Sequence, residues 1–72
     1  MIERNIIRII LSHKRMFKTM ICFDELFRHY AEATGDEISD DQLFAAIENL
    51  KKVGLLEEPE FHCYTTTIES IE

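Results

Sequence analysis

The sequence predicts a mostly helical α+β domain, with three helices followed by a small antiparallel sheet. Three observations carry that expectation. Apolar residues recur at helical spacing in three separate segments. Only two glycines and one proline occur in 72 residues, so few turns are available. After Gly54 the pattern changes to short runs on either side of Glu58-Pro59-Glu60, which reads as a hairpin.

The first helix is expected over roughly residues 2–15. Ile2, Ile6, Ile9, Ile10 and His13 follow helical spacing, and Ile7 and Leu11 widen the apolar stripe. Such a helix packs on two sides. Its last turn carries His13, Lys14 and Arg15, the charge sign that a helix C-terminus favours. Lys18 to Cys22 is β-leaning and reads as a brief strand or an extended link. Phe23 to Ala33 forms the second helix, with Phe23, Leu26, Phe27 and Tyr30 on one side. Cys22 is a poor N-cap, which Asp24 and Glu25 in the first turn partly offset. Gly35 is placed to end the helix in the left-handed conformation.

The third helix has the clearest start signal. Ser39-Asp40-Asp41-Gln42 is a capping box, in which the Ser39 hydroxyl and the Gln42 side chain satisfy each other's backbone amides. Leu43, Ile47 and Leu50 form the buried row, with Phe44 and Ala46 at its edges. Gly54 ends this helix. Leu55-Leu56-Glu57 then reads as a strand, Glu58-Pro59-Glu60 as the turn, and Phe61 to Thr67 as the return strand. Alternation there puts Phe61, Cys63 and Thr65 on one face and His62, Tyr64 and Thr66 on the other. Helix, short strand, helix, helix, strand, strand is the order of a winged helix-turn-helix, with a sheet of two or three strands and one domain over residues 1–72. A plain three-helix bundle with a disordered tail is the main rival.

Length and composition exclude several functions. A chain this short buries only about 60% of its unfolded surface, leaving little material for a substrate pocket and a rigid shell around it. No run of 18 apolar residues is present, and the charges within MIERNIIRIIL argue against a signal peptide. Cys22 and Cys63 are too few for a disulfide framework. A single bridge would call for a secretory context that nothing else in the sequence supports, so a reducing intracellular compartment, cytoplasm or nucleus, is expected. The net charge is −6 and unevenly spread. Residues 1–30 hold six Lys/Arg against three acids (+3), and residues 31–72 hold two Lys against eleven acids (−9). Such asymmetry suggests two electrically different faces.

The segment KTMICFDELFRHYAEATGDEISDDQLFAAIENLKKVGLLEE resembles the C-terminal winged helix of the origin-recognition and cell-division-control replication initiators. The resemblance rests on a Leu-aromatic-x-x-Tyr core (Leu26, Phe27, Tyr30), a long connection after it, and Gly54-Leu55-Leu56 closing the next helix. It implies a free-standing or excised tail domain that binds duplex DNA near origins, through basic residues on the third helix and wing. A fainter likeness joins IERNIIRIILSHKRM and IENLKKVGLLEE to the last winged helix of the cullin ubiquitin-ligase scaffolds. Leu11 stands where that family carries its modified lysine. Small viral and plasmid regulators of similar length belong to the same wide class.

Site residues follow from charge and position. For DNA, the outward side of the third helix offers Gln42 and Asn49 as adenine readers and Lys52 as a cation, but Asp40, Asp41 and Glu48 would repel phosphate. The wing carries Glu57, Glu58 and Glu60 where a cation would enter a minor groove. Lys14, Arg15 and Lys18, with His13, offer a weak, salt-sensitive and sequence-independent contact to phosphate. Arg28 and His29 add basic character on the second helix. A solvated helix end accounts for the same residues. For protein, Asp40, Asp41, Glu57, Glu58 and Glu60 form a patch suited to a basic surface, and Phe44 or the outward side of Ile7 and Leu11 supplies an apolar anchor. Simple solubility is the competing explanation. The apolar circumference of the first helix also leaves room for a homodimer. Cys22, Cys63, His13, His29 and His62 lack metal-ligand spacing. No third residue orients a Cys–His pair and no glycine-rich loop offers an anion hole. No enzyme activity, cofactor, metal, membrane or small-molecule substrate is expected.

Overall fold

The computed structural model describes residues 2–35 and 37–68. Helix α1 spans Ile2–Phe17, strand β1 Ile21–Cys22, helix α2 Phe23–Thr34 and helix α3 Asp40–Lys52. Strands β2 (Leu56–Glu60) and β3 (Cys63–Thr66) complete a winged helix-turn-helix. The three strands are antiparallel in the order β1-β3-β2, so β3 is central.

Helix α1 runs through the middle and packs on α2, α3, β1 and β3. Ile6 and Ile10 are fully buried, and Ile7 and Leu11 are nearly so. Each such side chain contributes about 2 kcal/mol through removal from water. Leu26 and Tyr30 of α2, Leu43, Ile47 and Leu50 of α3, and Ile21, Leu56 and Tyr64 of the sheet join the same core. Burial pushes the Tyr64 hydroxyl up to about 12.

The local signals act as expected at most element ends. Gly35 takes φ 72° and its amide donates to the Ala31 carbonyl. The Gln42 amide donates to Ser39 Oγ at 3.1 Å, and the Ser39 amide donates to Gln42 Oε1 at 3.1 Å, closing the capping box. Cys22 makes no side-chain cap for α2. The Phe23 amide is satisfied from outside the helix, by the His62 carbonyl at 2.8 Å.

The hairpin differs from the sequence reading in its turn. Glu58-Pro59-Glu60 lies within β2, and Phe61-His62 makes the turn, with His62 at φ 58°. Proline is admissible because β2 is an edge strand, where a missing N–H need not cost a ladder bond. A register shift between Glu57 and Glu60 absorbs the irregularity. The predicted two-face alternation therefore holds only from Cys63 onward. Tyr64 and Thr66 face the core, whereas Phe61 and His62 belong to the turn. The Thr66 hydroxyl donates to the Leu55 carbonyl at 2.9 Å, satisfying a buried polar group.

Cys22 and Cys63 are joined by a disulfide rather than free. The β1–β3 register sets them directly opposite one another, with Cα atoms 3.8 Å apart. Spacing in sequence could not reveal this pairing, since 41 residues separate them.

The capping box gives a direct check on this account. Ser39→Ala removes the hydroxyl that accepts from Gln42, and urea unfolding is expected to show a loss of about 1 kcal/mol with an unchanged m-value.

Candidate interaction surface

The side of the molecule formed by α3 and the β2–β3 wing carries a line of aromatic rings. Phe23, the first residue of α2, stacks on Phe44 of α3 with ring centroids 4.1 Å apart. Phe44 lies 5.2 Å from His62 in the wing turn, and His62 stacks on Phe61 at 3.8 Å. Phe23 and Phe44 are half-buried, but Phe61 is 83% exposed. The chain brings these rings together through the Phe23–His62 backbone bond and the neighbouring Cys22–Cys63 bridge, which tie the wing turn to the start of α2.

Acids surround this line. Asp40, Asp41 and Glu48 precede or follow Phe44 by three or four residues, the helical spacing that flanks it, and all three are exposed. Glu57 and Glu60 are exposed on the wing. Glu58 has a structural task instead. Its Oε1 accepts from Lys51 Nζ at 2.7 Å, and its Oε2 accepts from the His62 amide at 2.7 Å. Lys51 also reaches Glu48 at 3.2 Å. The Lys51 ammonium and then the His62 N–H hold the Glu58 carboxyl below its ordinary range. The Glu58 and then the Glu48 carboxylate hold the Lys51 ammonium above its own.

The basic residues singled out in the sequence do not form one patch. Lys14 Nζ donates to the Thr66 carbonyl at 3.1 Å, clamping α1 to the end of β3. His13 is buried. Its Nδ1–H donates to the Thr19 carbonyl at 3.3 Å, and its Nε2 lies 3.6 Å from Glu25. Arg15 and Lys18 are exposed at the end of α1, and Lys52 is exposed at the end of α3. Lys51, the neighbour of Lys52, is committed to two glutamates. Of the two adenine-reading candidates, Gln42 spends its side-chain oxygen on the capping box. Gln42 and Asn49 also line a shallow depression with Ile2 and Glu3 of α1, so part of the expected reading face turns toward α1. Ile7 and Leu11 are buried and offer no outward anchor.

Sequence reasoning found Phe44 but missed Phe23, Phe61 and His62 as its neighbours. Misplacing the turn by three residues assigned Phe61 and His62 to a strand. Among the described residues, no group of three or more His, Cys, Asp or Glu side chains is arranged to hold a metal ion. No helix among them is long and apolar enough to cross a membrane.

The family model for the C-terminal winged helix-turn-helix domain of MCM proteins matches residues 5–67, from the first turn of α1 to just past β3. The chain belongs to that family. MCM is a replication helicase family, so this winged helix is of the kind found in DNA-transaction machinery. The match bears out the fold and the replication setting expected from the resemblance to initiator tail domains; the particular initiator and cullin likenesses are not what it shows. No curated protein and no solved structure matches the chain. In this MCM-type winged helix the surface next to α3 and the wing is aromatic and acidic, in place of the cations that phosphate requires.

The Glu58 interactions predict a pH dependence. A carboxyl held below its unfolded value adds stability that is complete above the ordinary glutamate range and is lost as pH falls through the lowered folded value. Glu58→Ala should therefore lower the melting temperature at neutral pH, by the equivalent of about 1 kcal/mol for the lost bond to the His62 amide. Melting curves of the variant and the parent should converge as the buffer is taken below the ordinary glutamate range.

Proposed function

We propose that this MCM-type winged helix is a non-catalytic docking module of replication machinery, binding a protein with a basic surface through its α3–wing face. The observation that carries the proposal is the Phe23-Phe44-His62-Phe61 line, placed among exposed carboxylates where a DNA-reading winged helix would present cations. Aromatic side chains supply large, stiff contact area, and acids around them steer a basic partner and repel phosphate. Asp40, Asp41, Phe44, Glu57 and Glu60 are the contact residues in this reading, and Glu58 positions the wing. DNA contact is limited to phosphates at the far end of α1, through Arg15 and Lys18, with Lys52 a lesser contributor and no base reading by Gln42 or Asn49.

Fluorescence anisotropy tests both halves. A labelled peptide alternating arginine and leucine should bind, and Phe44→Ser and Asp40→Asn/Asp41→Asn should each weaken it severalfold at physiological salt. Unchanged binding by both variants would remove the face from consideration. A labelled random duplex should bind at low salt only, and Lys18→Glu with Arg15→Glu should abolish that binding. Lys14 is a poor test residue because it holds Thr66. Tight duplex binding at physiological salt that depends on Gln42 or Asn49 would overturn the proposal.

A further inference from the structure

The aromatic line ends at Phe61, a phenyl ring at the tip of an acidic wing. A second surface has the complementary character. Helices α1 and α2 leave between them an open groove of about 530 Å³, floored by Ile9, Met16, Phe17 and Ala33. Met16 is 70% and Phe17 60% exposed, so two large apolar side chains meet solvent in one groove. Arg8 lines it from α1, and Arg4 extends that exposed edge by one turn. The acids on the α2 side already face imidazoles: His29 lies 3.4 Å from Glu25 and 3.5 Å from Glu32. An occupant that sets an apolar group against Met16 and Phe17 and carboxylates along the Arg4–Arg8 edge, away from Glu32 on the α2 side, suits this groove.

We infer that the groove receives the wing of a second copy of this chain, with Phe61 entering between Met16 and Phe17 and the carboxylates of Glu57 and Glu60 meeting Arg4 and Arg8. The inference rests on the docking role proposed for the wing and names its occupant. Charge complementarity supports it: Arg4 and Arg8 stand exposed along the α1 edge of the groove, and Glu57 and Glu60 stand exposed on the strand that leads into Phe61. The two surfaces are different, so the contact is head-to-tail and leaves one groove and one wing unfilled in each pair.

Sedimentation velocity from low micromolar to millimolar concentration provides the test. The parent chain should associate with rising concentration, and added salt should weaken the association. Met16→Glu blocks the groove and Phe61→Ser blunts the wing. Both sites are exposed, and circular dichroism confirms that each variant folds. Each variant alone should remain monomeric, whereas an equimolar mixture should form a dimer that grows no further, because one intact wing meets one intact groove. A parent chain that stays monomeric at millimolar concentration overturns the inference. So does self-association that survives Phe61→Ser but not Met16→Glu, which would mean groove-to-groove pairing. A monomeric parent that still binds the arginine-leucine peptide loses the self-docking inference and keeps the docking face; loss of both removes the two together.

Discussion

Enclosure of α1 is the constraint on which the other elements depend. Ile6 and Ile10 lose all contact with solvent only because α2, α3 and the sheet close around them. Among the described residues the apolar side chains around α1 form one core cluster, and a unit this small has little else to fall back on. Two long-range polar links keep the enclosure shut at the sheet. Lys14 reaches from α1 to the Thr66 carbonyl, and Thr66 in turn holds Leu55. A cation that looked available for phosphate in the linear sequence is thus part of the scaffold.

Periodicity and capping chemistry made the helices legible. Ser39 and Gln42 mark the start of α3 without ambiguity, and Gly35 and Gly54 mark ends, because each signal is local and has a single physical remedy. The wing was less legible. Pro59 suggested a turn by its composition, yet its effect depends on whether its strand is central or at an edge, and that is a tertiary fact. The Cys22–Cys63 pairing was hidden for the same reason: only the β1–β3 register brings the two residues face to face. The candidate site was half legible. Acid flanking Phe44 could be read from α3 alone, but the ring line needs three elements to meet.

Electrostatics then separates shape from use. The backbone arrangement is that of a DNA-reading fold, and the family is one that works on replicating DNA. The third helix and wing nevertheless carry Asp40, Asp41, Glu57 and Glu60 on the exposed surface, while Lys51 is neutralised by two glutamates. Phe44 of α3 and Phe61 and His62 of the wing turn belong to the same two parts of the chain. A surface of this kind gains from burying apolar area against a cationic neighbour and loses from approach to a polyanion.

Pro59 also determines how anything can attach to the wing. An edge strand ordinarily offers its unpaired amides and carbonyls to an incoming peptide, which then extends the sheet. Here the outer strand lacks one amide, is distorted between Glu57 and Glu60, and carries three glutamates in five residues. Backbone templating is closed to a visitor on that side. Recognition at this wing has to be carried by side chains, which makes it sensitive to single substitutions and protects the domain against strand-by-strand aggregation.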